Sequence, residues 1–176
     1  MIALDEPHLA LYLKEETLLY LEMGLNQPRR QTDKALKYAF SQAHKAVLNA
    51  PEQYFWHTRW EVILKALDMS IGEFCFKGVP DKNGIVEIGY GIDSPFQGMG
   101  YGTEAVSRMM DWLMASKEAA IVKAETEWDN LSSQALLKRA GFVKYRIDGD
   151  SIWWRRRMPS FPHMPAAGMP TRAAKR

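Results

Sequence analysis

The sequence predicts an α+β domain, on three observations. The first fifty residues hold two helix-like segments, the text turns strand-like from Tyr54, and a glycine-rich turn near residue 100 leads from a strand into a helix, after which strand and helix signals alternate. With 176 residues and 47% apolar content, the chain can bury one sizeable core. We expect a single domain over 1–158 and a Pro/Ala/Arg tail over 159–176 that is disordered or irregularly packed.

From the N-terminus, Leu9, Leu11, Leu13, Leu18, Leu19 and Leu21, with Tyr12 and Tyr20 among acids, suit a helix that ends near Gly24. A second helix is expected from Thr32 or Asp33 to Asn49, because Leu36, Ala39, Phe40, Ala43 and Val47 keep helical spacing and Pro51 stops it. Phe55, Trp56, Thr58, Trp60, Val62, Ile63 and Leu64 read as a strand, Ile71 to Phe76 as its neighbour, and Gly78 to Gly84 as the loop to a third. In that third strand Val86, Ile88, Tyr90 and Ile92 share one face. Glu87, Gly89 and Gly91 share the other, so one face packs while the second leaves room for something to lie on it. Val106, Met109, Met110 and Leu113 give the helix from Thr103 to Ser116 a core-facing stripe. A strand from Ile121 to Trp128 and a helix from Asn130 to Ala140 come next. The last two strands, Phe142 to Ile147 and Ser151 to Met158, are joined by the hairpin signal Asp148-Gly149, with Arg155, Arg156 and Arg157 on alternating faces of the final strand.

Composition excludes several function classes. The net charge is +2, of which Arg172, Lys175 and Arg176 in the tail supply +3, leaving a balanced body at −1 without the footprint of a nucleic-acid-binding face. Cys75 is the single cysteine, so no internal disulfide forms, and a reducing cytoplasm fits. Asp5, Glu6, Glu15 and Glu16 interrupt the N-terminal segment, which rules out a signal peptide, and no stretch approaches the ~18 apolar residues of a membrane span. We therefore expect a soluble, cytoplasmic protein. Four scattered histidines give no metal site.

The chemistry starts at Gln97-Gly98-Met99-Gly100-Tyr101-Gly102-Thr103. Glycines let a ligand approach the main chain, and a helix N-terminus directs free N–H groups and partial positive charge at the same point, an arrangement suited to phosphate. A nucleoside-triphosphate loop would need a lysine after its last glycine, where Thr103 and Glu104 stand. A dinucleotide fingerprint counted from Gly98 would need glycine at Thr103.

What remains, Gln97-x-x-Gly100-x-Gly102, resembles the acyl-coenzyme A pyrophosphate loop of the GNAT superfamily of N-acetyltransferases. Downstream, the run Ala124 to Ser133 with its Asn130, closing on Gly141-Phe142, is similar to that family's second coenzyme A motif. The resemblance covers roughly Tyr54 to Trp154 and is nearest to the ribosomal-protein N-terminal acetyltransferases. It implies a mixed, mostly antiparallel sheet of six to seven strands flanked by about four helices and splayed between the fourth and fifth strands. It also implies that Tyr90, Gly91 and Ile92 line the pantetheine, with the amide near Gly91 or Ile92 meeting the thioester oxygen. The amides of Gln97, Gly98, Met99, Gly100, Tyr101, Gly102 and Thr103 would hold the pyrophosphate, and Asn130 and Ser133 would complete the cofactor site.

Acetyl-CoA is then the expected co-substrate, and the acceptor a primary amine on a protein N-terminus or small molecule, attacked directly in a ternary complex. Glu125 is the first candidate base, because strand alternation sets it on one face with Lys123 and Glu127 and some relatives use a matching glutamate; Glu87 is the second. Leu137 occupies the position where many members carry a tyrosine acid, leaving Tyr145, Tyr101 or water for that role. That departure keeps open a non-catalytic acyl-CoA-binding module, and a longer acyl donor is a further alternative. The first two helices and the closing hairpin would shape the acceptor pocket, with Trp153 and Trp154 as core or pocket wall, in a monomer or homodimer.

Overall fold

A computed structural model describes residues 1–28 and 33–159. Thr32 and all but the first residue of the 159–176 tail lie outside the described residues. In chain order come β1 (Ile2–Ala3), α1 (Glu6–Lys14), α2 (Glu16–Glu22), α3 (Lys34–Asn49), α4 (Tyr54–His57), β2 (Arg59–Leu64), β3 (Met69–Phe76), β4 (Ile85–Ile92), α5 (Tyr101–Ser116), β5 (Ile121–Glu127), α6 (Leu131–Arg139), β6 (Val143–Asp148) and β7 (Ser151–Arg157).

The strands make one sheet in the order β1-β2-β3-β4-β5-β7-β6, antiparallel everywhere except between β4 and β5. That parallel pairing runs only from Ile85 opposite Ile121 to Ile88 opposite Ala124. Beyond it, Gly89 to Ile92 pair with β3 alone and Glu125 to Glu127 with β7 alone. The sheet is parted between its fourth and fifth strands, as expected.

Alternation sorts the side chains. Trp60, Phe74, Phe76, Val86, Ile88, Val122, Ala124 and Trp154 form the main core with Val106, Met109, Met110 and Leu113 of α5 and Leu137 of α6. A second core of Leu9, Tyr12, Leu19, Tyr20, Phe40, Ala43 and Val47 joins α1, α2 and α3. It lies on the opposite face, where the Arg59 guanidinium sits 5.7 Å from the centre of the Phe40 ring. Trp154, 1% exposed, donates to Thr126 Oγ1 at 3.0 Å inside the main core, while Trp153 is half-buried on the other face. Adjacent tryptophans thus divide between core and surface.

Three expectations are corrected. The leucine-rich first helix is two, because Glu15 adopts an extended conformation (φ −161°, ψ 117°) between α1 and α2. Phe55 and Trp56 are helical rather than strand: α4 turns Trp56 onto Phe76 (4.7 Å between centroids) and Trp112 (5.6 Å), contacts that outweigh the β preference of aromatic residues. Six α-helices, not about four, are present among the described residues. No helix there is long and apolar enough to cross a membrane.

Candidate active site

α1, α3 and α6 each begin on a side-chain cap, from Asp5, Asp33 and Asn130. The 16-residue α5 does not. Its N-cap is Gly100, and its first internal bond runs from Glu104 N–H to the Gly100 carbonyl at 3.0 Å, leaving the amides of Tyr101, Gly102 and Thr103 without helical partners. Gly98 (φ +75°) and Gly100 (φ +90°) take left-handed conformations, and a Cβ on either would meet nothing within 4 Å, so the turn is open to a ligand. Gly102 has a different role: a Cβ there would stand 2.6 Å from Leu136 Cδ1 and 3.3 Å from Ile92 Cγ1, so its glycine serves helix packing.

The gap beside this turn is lined by main chain. Lys77 N–H bonds the Glu87 carbonyl (2.9 Å) and Asp93 N–H bonds the Ile71 carbonyl (2.8 Å), so the odd-numbered residues of β4 bond toward β3. Tyr90 and Ile92 therefore turn their amides and carbonyls to the gap. Of the two amides expected to meet the thioester oxygen, Ile92's faces it and Gly91's faces Glu73 on β3. The Gln97 side chain donates to the Ile92 carbonyl at 2.7 Å, tying the turn to the parted strand end. On the helix side the Tyr90 hydroxyl and Ser133 Oγ lie 2.7 Å apart, and Ser133 N–H donates to Asn130 Oδ1 at 3.0 Å. Burial pushes the Tyr90 hydroxyl up to about 12, against the lowering effect of Ser133.

Turn, gap and start of α6 form one cleft of about 550 Å³. It brings together Tyr90, Gly91, Ile92, Gln97, Gly98, Gly100, Tyr101, Gly102, Thr103, Asn130 and Ser133, whereas Met99 projects to solvent and does not line it. Phe96, Ser132, Ala135, Leu136 and Arg139 also line it. Arg139 reaches Thr103 Oγ1 at 3.4 Å, so a guanidinium stands at the uncapped helix mouth. Nothing in the sequence pattern marks it except its place in the last turn of a helix, where a cation is expected anyway.

The two candidate carboxylates differ. Glu87 lies where β4 and β5 are still paired, opposite Lys123, and is ion-paired with Lys77. Glu125 is the first residue of β5 past the last β4 pair, is exposed, and has no side-chain partner among the described residues. Leu137 is 0% exposed in the main core, and Tyr145 lies on edge strand β6 beneath the Arg155 guanidinium (5.3 Å). Tyr90, not Tyr145, therefore brings a hydroxyl to the cleft wall facing α6. Cys75 is half-buried in β3, where burial raises its thiol, so it offers no ready nucleophile.

Comparison with known proteins places this geometry. The family described as acetyltransferase (GNAT) domain matches residues 3–143. An uncharacterized N-acetyltransferase of Bacillus subtilis (strain 168), YjdG, is 32% identical over 95 residues, 54% of this chain and 56% of its own length. A second, p20 of Bacillus licheniformis, is 33% identical over 86 residues, 49% and 48% of the two lengths. The matched region thus spans about half the length of these curated relatives. Among solved structures, the ribosomal-protein-S5-alanine acetyltransferase of Vibrio fischeri has a TM-score of 0.63 at 18% identity, covering 92% of this chain and 93% of that one. A ribosomal L7/L12 alpha-N-protein acetyltransferase in complex with coenzyme A has a TM-score of 0.61 at 19% identity, covering 90% and 93%. At that identity the two structures speak for the fold.

Proposed function

Since the chain belongs to the GNAT acetyltransferase family, we propose that it transfers an acetyl group from acetyl-CoA to a primary amine by direct attack in a ternary complex. One observation carries this reading: the uncapped, glycine-opened N-terminus of α5 and the parted β4–β5 strands share a single cleft. The residues present fit the coenzyme. Free amides at Tyr101, Gly102 and Thr103, with Arg139 beside them, suit a diphosphate, and the outward-facing Tyr90 and Ile92 groups suit the amides of a pantetheine arm.

Each residue then takes a role. Glu125 accepts the proton that the acceptor ammonium must lose, a contribution of ~10²- to 10⁴-fold. The Ile92 amide donates to the thioester oxygen as negative charge builds there; removing such a donor costs ~10²- to 10³-fold elsewhere. As the carbon–sulfur bond breaks, the Tyr90–Ser133 hydroxyl pair offers a hydrogen bond to the departing sulfur; the second proton, lost by nitrogen as the amide forms, ends on the thiol, while the first passes from Glu125 to solvent. Holding both reactants in line contributes most, ~7 to 11 kcal/mol. No acyl-enzyme is needed.

The rival is a coenzyme A-binding module without turnover, favoured by Leu137 where the resemblance leads one to expect a tyrosine. Calorimetric titration with coenzyme A, followed by thiol release from acetyl-CoA in the presence of amines, separates the two. Absence of coenzyme A binding would refute both.

A further inference from the structure

The helices α1 to α3 pack over β2 and β3, and among the described residues none of the three shares a core cluster with β5, β7 or β6, which leaves the outward faces of those strands open to this extent. On this open half, β5 presents Lys123, Glu125 and Glu127, and β7 presents Trp153 opposite Glu125 and Arg155 opposite Lys123. Beside them β4 carries Glu87, paired with Lys77, and then only Gly89 and Gly91; a Cβ at Gly91 would meet nothing within 4 Å. From Gly89 to Gly91, next to the parted strands, β4 therefore sets no side chain on this face between the gap and these charges.

Most charges on this face are already matched. Arg59 pairs with Glu73, Lys77 with Glu87, and Arg146 with Asp148. Lys123 and Arg155 are the exception: two cations stand directly opposite one another across an antiparallel pair, an arrangement that costs stability, and Glu87, across from Lys123 on β4, is paired with Lys77 instead. Among the described residues neither is in an ion pair. Asp81 interacts with Lys123 only at longer range, and Arg155 lies over the Tyr145 ring. Glu125 sits two residues from Lys123, about 6.6 Å along the strand, and diagonal to Arg155, about 7–8 Å away. Among the described residues no ion pair joins it to either of them. Cations and carboxylate are held near each other but apart.

We propose that these charges select the acceptor: an amine with a carboxylate a few bonds away, as in an acidic amino acid or a peptide whose residues after the amino terminus are acidic. Glu125 faces the amine while Arg155, assisted by Lys123, binds the carboxylate, and Trp153 is the flat surface between them. A polyamine, cationic along its length, is disfavoured by the same two cations. The inference rests on the acetyltransferase reading and adds the substrate class to it.

The test is thiol release from acetyl-CoA with matched acceptors: free glutamate, C-terminally amidated Ser-Asp-Glu and Ser-Lys-Lys peptides, and spermidine. An acidic acceptor should lead spermidine and the basic peptide by at least about tenfold in kcat/KM. Arg155→Gln and Lys123→Gln should each raise KM for that acceptor by about tenfold with KM for acetyl-CoA unchanged, while Arg155→Lys keeps most of the preference. Whether free glutamate or the acidic peptide leads tells a metabolite from a polypeptide terminus. Equal rates across the set, or a preference for spermidine or Ser-Lys-Lys, overturn the inference and leave the acetyltransferase reading intact. Coenzyme A binding without thiol release from any acceptor overturns both.

Discussion

Replacing Gly72 by alanine tests whether the gap depends on the fit between β3 and β4. Gly72 is buried on β3 opposite Ile92, the residue whose amide faces the gap. A Cβ added there would press into the Gly91 carbonyl oxygen and stand 2.9 Å from Ile92 Cδ1 and 3.0 Å from Ile92 Cα. Two of the three obstacles are main chain, so no rotamer change relieves them, and the end of β4 must move away from β3. On its far side no strand holds this end of β4, because the pairing with β5 stops at Ile88 and the Gln97 side chain on the Ile92 carbonyl is the hydrogen bond that remains there. Overpacking of this kind costs about 1–3 kcal/mol, or a fall in Tm of roughly 2–12 °C for a domain of this size. The displaced strand should also narrow the gap and weaken coenzyme A binding by about tenfold or more. Gly102→Ala is the control, because its tightest contact is the flexible end of Leu136, and it should cost less than Gly72→Ala. Thermal denaturation and calorimetric titration read both effects. Unchanged stability and unchanged coenzyme affinity in Gly72→Ala would refute the account of how the gap is held open.

Glu125→Gln should lower kcat/KM by ~10²- to 10³-fold with coenzyme A affinity unchanged, measured by thiol release and calorimetry. Glu87→Gln, which breaks only the Lys77 pair, should change kcat/KM by less than about threefold. For Tyr90, the folded protein holds the phenol proton more tightly than the unfolded chain, with a value of about 12 against the ordinary 10.0. The resulting stability is complete below pH 10 and lost as pH rises through 12, so urea denaturation of Tyr90→Phe should show a flatter decline over that window than the parent. Asn130→Ala removes the cap that accepts from Ser133 N–H and should cost about 1 kcal/mol in urea denaturation, with weaker coenzyme A binding.

The strand, turn and helix from Val86 to Ser116 are legible in the sequence because each rests on local rules: alternation in β4, positive φ at Gly98 and Gly100, a helical apolar stripe in α5. The Asn130 cap and the Gly141 stop of α6 are legible for the same reason. β1 is not, since two residues carry no periodicity and exist as a strand only by pairing with Trp60 and Glu61. The Glu15 break is hidden too: leucines continue across it, and only the packing of α1 and α2 onto α3 reveals two helices. In the site, sequence order brings forward the turn and Asn130 but cannot show that Arg139 folds back to Thr103, 36 residues earlier. Nor can it show that Tyr90 meets Ser133 across the cleft. Gly102 fits the motif, yet its hydrogen faces Leu136 rather than a ligand.

A sheet that stops pairing halfway along two central strands is an unfinished one. The main-chain groups of Tyr90 and the Ile92 amide have no strand partner there among the described residues, and an occupant with its own amides would supply one. Any such occupant stabilises the folded chain by RT ln(1 + [L]/Kd), ~2.7 kcal/mol at a hundredfold excess over Kd. Resistance to proteases, and with it the half-life of the protein in a cell, should therefore rise and fall with the supply of the compound that completes the sheet.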